Sequence, residues 1–172
     1  MYDRLFITGF MGAGKTCVGE LLAKRLGLSF LDTDRMIEAR AGMSIRDIFQ
    51  NFGEEVFRKM ERDLCRSLPG KSVVALGGGT FIQSDIKELL QATGLTLFLD
   101  WPFQVLAKRI LNDPARPLAT SQEELAMRFH DRIPFYREAK LCWKSQPPHQ
   151  ETPQEIVRAI LLLLQARNLQ IG

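Results

Sequence analysis

Three glycines within six residues, then a lysine and a hydroxyl, make up the stretch GFMGAGKT at residues 9–16. The pattern Gly9-x-x-x-x-Gly14-Lys15-Thr16 sits between the apolar run LFIT (5–8) and KTCVGELLAKRL, whose Val18, Leu21, Leu22 and Leu26 share one helical face. A loop of this composition between a strand and a helix is a phosphate-binding loop. Its glycines let the backbone curl, so that the N–H groups of Gly12, Ala13, Gly14, Lys15, Thr16 and Cys17 can turn toward phosphate oxygens. The helix opening at Lys15 adds the positive end of its dipole. Lys15 can reach β- and γ-phosphates, and Thr16 can offer its hydroxyl to Mg²⁺. Rival glycine motifs fail: G-x-G-x-x-G from Gly12 would need glycine where Cys17 stands, and no H-R-D or D-F-G accompanies the loop. The expected ligand is a nucleoside triphosphate with Mg²⁺.

Other segments could supply what receives the phosphate. DTD sets Asp32 and Asp34 two apart at a strand end, where both carboxylates can face one cleft; the alternative is an Asx-turn or helix N-cap, since Asp34 precedes RMIEAR. FRKME puts Arg58 and Glu61 on one helix face, as a carboxylate-gripping pair or as an ordinary ion pair. LGGG ends a strand with Gly77, Gly78 and Gly79, which suggests close approach of a ligand to the backbone, or a plain turn. NDPARPLATSQEE (112–124), with two prolines and Arg116, reads as an exposed loop. PFYREA contributes Arg137, with Arg128 and Arg132 as nearby rivals that the residues alone do not separate. LFLD, an apolar strand ending in Asp100, competes with Asp32 for the metal.

These groups need a scaffold. LFIT, SFLD (29–32), SVVAL (72–76), LTLFLD (95–100) and, more weakly, KLCWK (140–144) read as strands. Helical patterns alternate with them: IRDIF, EEVFRKMERDLCRSL, DIKELLQA, FQVLAKRIL, EELAMRFHDRIPFYREA (disturbed near Pro134) and TPQEIVRAILLLLQAR, in which Thr152 is the expected N-cap and Pro153 the first residue. Near-continuous apolar strands alternating with helices imply an α/β fold, with a five-stranded parallel sheet covered on both faces. The 172 residues, with 45% apolar and 25% charged, suit one domain. A net charge of +3 with mixed signs argues against a nucleic-acid partner. Cys17, Cys65 and Cys142 lack metal-ligand spacing and read as small buried thiols in a reducing compartment. MYDRLFITGF has no signal-peptide pattern and AILLLL is too short for a membrane span, so a soluble cytoplasmic protein is expected.

GFMGAGKT, FLDTD, FRKME, ALGGGT, RPL and PFYREA occur in the order and approximate spacing of shikimate kinases, which the chain resembles over essentially its whole length. The resemblance implies a three-layer α/β/α fold of the P-loop kinase type, residues 1–172 as one domain, a substrate-binding helical region at about 33–62 and a lid at about 112–124. It implies ATP-dependent phosphorylation of the 3-hydroxyl of shikimate, with Mg²⁺, by a monomer. Asp32 would support the metal beside Thr16, leaving Asp100 structural. Asp34 would bind the acceptor and serve as base for its hydroxyl. Arg58, steadied by Glu61, and Arg137 would grip the substrate carboxylate, with the Gly78–Gly79 backbone against substrate or γ-phosphate. Lys15 and the lid's Arg116 would neutralise the moving phosphoryl group. Ala119 after RPL departs from the family's usual leucine, and PPHQETP before the last helix leaves the base contacts unassigned. Two alternatives carry different expectations: a P-loop kinase for another small acceptor such as gluconate or a nucleoside monophosphate, and an ATP-sensing module without transfer chemistry.

Overall fold

Strand β1 (Arg4–Thr8) forms the centre of the sheet because RLFIT offers apolar side chains to both faces, and Leu5, Phe6 and Ile7 are fully buried there. In the computed structural model, described over residues 1–111 and 121–172, the elements follow in the order α1 (Lys15–Leu26), β2 (Ser29–Asp32), α2 (Thr33–Ala41), α3 (Ile45–Arg66), β3 (Ser72–Ala75), α4 (Ser84–Thr93), β4 (Leu95–Asp100), α5 (Phe103–Leu111), α6 (Gln122–Tyr136), β5 (Leu141–Lys144) and α7 (Pro153–Ala166). The sheet order is β2-β3-β1-β4-β5, and every pairing is parallel. Register is fixed by matched apolar positions: Leu5 lies beside Val73 on one side and Leu95 on the other. Helices flank the sheet, with α1 and α7 packed together. The expected five parallel strands are therefore present, two of them one residue shorter than expected.

Local chemistry explains most boundaries. Thr152 caps α7 through a full capping box with Glu155, and Pro153 occupies its first turn. Helix α3 joins two segments that the sequence treats separately; Gly53, at φ 80° and ψ 176°, kinks the chain between them. Pro134 does not end α6, which runs on to Tyr136. The expected loop at 112–124 ends earlier, because the Ser121 side chain accepts from the Glu124 N–H and makes residues 122–124 the first turn of α6. Cys65 is buried as expected, whereas Cys17 and Cys142 are exposed: Cys17 sits at the mouth of the phosphate loop and Cys142 on the outward side of β5.

Candidate active site

Strand β1 ends at Thr8, and the glycine loop that follows turns back to start α1. Gly14 takes φ 83°, a left-handed conformation that side chains resist. The loop's carbonyls are anchored away from the expected phosphate position: Trp101 Nε1 donates to Ala13 O at 3.1 Å, and Arg109 Nη1 donates to Gly12 O at 3.2 Å. With the carbonyls engaged, the N–H groups form the anion-binding side of the loop. Lys15 Nζ donates to Gly9 O at 2.9 Å and Phe10 O at 3.1 Å, folded over its own loop.

A single cavity of about 610 Å³ joins this loop to the other predicted groups. Gly12, Gly14, Lys15, Thr16 and Cys17 line it together with Asp32, Asp34, Arg58, Glu61 and the glycine triplet. Ala13 is buried behind the lining, and its N–H donates to Phe10 O at 3.2 Å. The Thr16 hydroxyl donates to Asp32 Oδ2 at 2.7 Å. Asp32 Oδ1 also accepts from the N–H groups of Asp34 and Arg35, which makes it the N-cap of α2. The capping role thus falls on Asp32 and leaves Asp34 in the first helical turn, where the sequence suggests an extended pair. Between them Thr33 turns inward, and its hydroxyl accepts from the Gly77 N–H at 2.8 Å. Two hard oxygen donors side by side suit Mg²⁺, which keeps most of its waters and takes few protein ligands. Asp100 is not part of this cavity, and its charge environment is Arg137 and Lys144.

Burial pushes the Asp34 carboxyl up to about 6, with Lys15 opposing the shift and Asp32, Glu61 and Glu38 adding to it. Arg58 lies on the exposed side of the buried Glu61, donating through Nη1 at 2.6 Å, while Nε and Nη2 donate to Glu54 at 3.1 and 2.8 Å. Burial disfavours the Arg58 charge, but its bonds to Glu61 and Glu54 outweigh this and hold its pKa above the usual value.

The glycine triplet is tight, though the close neighbours are protein side chains. A Cβ on Gly77 would collide with Asp34 Oδ1, and one on Gly79 would fall 2.5 Å from Arg58 Nη1. Tyr136 donates to the Gly78 carbonyl at 2.5 Å and Arg132 at 3.2 Å, while the Gly77 N–H is taken by Thr33. Arg128 and Arg132, one turn apart on α6, line the cavity. Arg137 does not. It follows the last residue of α6, with its charge acting on Asp100 and Cys142, so the structure does not bring the expected second arginine beside Arg58. Arg116 lies outside the described residues.

Sequence reasoning missed a second recess of about 390 Å³, lined by Gln104, Val105, Lys108, Arg109, Pro148, His149 and Gln150. Its link to the phosphate loop is Arg109, stacked 3.9 Å from the Trp101 ring centroid and bonded to Gly12 O. The available signal was PPHQETP, whose Pro148, His149 and Gln150 form part of the lining.

A parallel sheet with a phosphate loop after its central strand, opening on an acid–arginine cavity, defines a P-loop kinase fold for a small acceptor. The model of the shikimate kinase family matches residues 11–165, and the chain belongs to that family. A shikimate kinase from Aquifex aeolicus is 34% identical over 169 residues, 96% of this chain and 98% of its own. One from Geobacter sulfurreducens is 44% identical over 140 residues, 78% of this chain and 77% of its own. Among solved structures, a shikimate kinase from Acinetobacter baumannii in complex with shikimate superposes with a TM-score of 0.88 at 32% identity, covering 99% of this chain and 97% of that one.

Proposed function

We propose that the chain transfers the γ-phosphoryl group of ATP to the 3-hydroxyl of shikimate, and that it does so as a cytoplasmic monomer. The observation that carries this reading is the shared cavity, which Lys15 and Thr16 line together with Asp34 and Arg58. Lys15 exchanges its loop carbonyls for β- and γ-phosphate oxygens. Thr16 and Asp32 would hold Mg²⁺, which when bound would offset charge on those oxygens. Asp34, with a pKa near 6, is mostly ionised at neutral pH and accepts the hydroxyl proton as the phosphoryl group leaves ADP. The loose transition state asks little of a base, so the main demand is alignment and charge.

Arg58 receives the substrate carboxylate, for which its planar fork is suited. We assign the second arm to Arg137, which must turn from the Asp100 side toward the cavity as substrate enters. Arg132 has a different task, since its guanidinium already holds the Gly78 carbonyl. Arg116 would complete the charge around the γ-phosphate. The recess beside Arg109 receives the nucleobase, since a flat guanidinium braced on Trp101 and bonded to the phosphate loop offers a stacking face.

ADP release from purified protein with ATP and Mg²⁺, with shikimate, with gluconate and with neither, tests the reading. Turnover with shikimate at least about a hundredfold above the other two is expected, because a site built to bond its substrate rejects analogues strongly. Equal rates in all three mixtures would overturn it.

A further inference from the structure

Glu61 is only 1% exposed, and a carboxylate this deep must be satisfied by donors. Arg58 supplies one. The others come from the segment that follows the glycine triplet: Thr80 Oγ1 donates to Oε1 at 2.5 Å, and Gln83 Nε2 donates to Oε2 at 2.8 Å. Thr80 is itself fully buried, and its N–H donates to Gly77 O at 3.1 Å, so its hydroxyl is fixed to the turn that carries the triplet. Gln83 Nε2 also reaches Gly79 O at 3.4 Å.

Arg58 is constrained on three sides. One face rests against the Gly79 backbone, and its Nε and Nη2 edge meets Glu54, which is 65% exposed. Its Nη1 meets Glu61. An exposed partner on a mobile side chain fixes little. The rigid reference is Glu61, and Glu61 is held by Thr80 and Gln83.

We infer that Thr80 and Gln83 are positioning residues for acceptor binding, setting the angle at which Arg58 meets the substrate carboxylate. This rests on the reading of Arg58 proposed above. Neither residue touches substrate in this scheme. Each acts through Glu61, and both follow closely on the glycine triplet that lines the cavity, so one short segment ties the triplet to Arg58. Arg58 holds the acceptor's carboxylate equally in the ground and transition states, so a misaligned grip is read in KM more than in kcat.

Steady-state kinetics of Thr80→Val, Thr80→Ser, Gln83→Leu, Arg58→Ala and the Arg58→Ala/Thr80→Val pair test this. Loss of one hydrogen bond to a charged group predicts a shikimate KM about 5–50-fold higher in Thr80→Val, with kcat within about threefold and the ATP KM unchanged. Thr80→Ser, which keeps the hydroxyl, stays within about twofold of wild type, and Gln83→Leu raises the shikimate KM about 2–10-fold. In the Arg58→Ala background, Thr80→Val adds nothing further. A Thr80→Val effect that persists there, or that raises both KM values alike, overturns the inference. Should Thr80→Val not fold, Gln83→Leu decides: an unchanged shikimate KM overturns the inference, and a raised one supports it. An Arg58→Ala enzyme with an unchanged shikimate KM would instead overturn the reading of Arg58 itself.

Discussion

Asp34→Asn should make the protein more stable and nearly inactive, and the gain in stability should vanish in acid. Burial raises the Asp34 pKa from 3.8 to about 6, so the folded chain binds this proton more tightly than the unfolded chain does. Between those two values the folded state holds more protons, and its stability falls as pH rises; above about 6 the loss is complete. Keeping the carboxylate ionised at pH 8 against that rise costs about 3 kcal/mol. Asparagine has the same size and no charge. It removes that cost, in which the attraction of Lys15 is already counted, so we expect a gain of up to about 3 kcal/mol at pH 8. For a chain of this length that is a rise in Tm of up to about 6–12 °C. Thermal melts of both proteins at pH 8 and pH 4 measure it, the difference being near zero at pH 4, where wild-type Asp34 is close to half protonated even if unfolded. The same variant should lose about 10²–10⁴ in turnover, and wild-type kcat/KM for shikimate should fall tenfold per pH unit well below 6. An Asp34→Asn protein less stable than wild type by the same amount at both pH values would refute the account of Asp34 as a carboxylate buried at a cost.

Three other outcomes follow from the same geometry. Asp32→Asn and Thr16→Ala should each raise the Mg²⁺ concentration for half-maximal activity by about tenfold, a loss expected for one ligand or its partner, while Asp100→Asn leaves it unchanged. Metal titration of ADP release reads this, and the reverse pattern would move the metal to β4. Arg109→Ala should raise the ATP KM about 3–30-fold, the loss of one stacking cation, with little change for shikimate. Glu61→Ala should lower stability by about 1–3 kcal/mol in urea unfolding, because it leaves the buried Thr80 hydroxyl without its acceptor and takes one of the two carboxylates paired with Arg58; a loss below 1 kcal/mol would mean the buried carboxylate is not their anchor.

What was legible in the sequence was local. The phosphate loop, the strand–helix alternation and the Thr152 cap each lie within a few residues, and backbone conformation alone decides them. The glycine triplet was legible as a place of close approach, but its neighbours were not, since Asp34 and Arg58 come from different helices. Contacts across long stretches of chain were beyond reach. Trp101 holds Ala13 across 88 positions, and Tyr136 holds Gly78 across 58. The choice among Arg128, Arg132 and Arg137 depends on the rotation of α6 about its own axis. Periodicity puts Arg128 and Arg132 on one face with Tyr136, but which face meets the cavity is set by packing such as Phe10 against Phe129. The resemblance favoured Arg137, which follows the helix and points elsewhere in this structure.

The arrangement of charge explains why so many parts must converge. Lys15, Arg58, Arg128 and Arg132 line the cavity together with Asp32, Asp34 and Glu61, so the side-chain charges nearly cancel. A cavity of this kind does not attract anions by net field; it sorts them by position. Burial raises the Asp34 pKa and Lys15 is the cation that opposes it, while Glu61 ties down Arg58 and leaves Asp34 without a guanidinium of its own. Had Asp34 paired with one of those arginines, its pKa would be driven down and it would be a poor proton acceptor. The buried Glu61 therefore serves two ends at once: it fixes the group that meets the substrate carboxylate, and it keeps that group from neutralising the base.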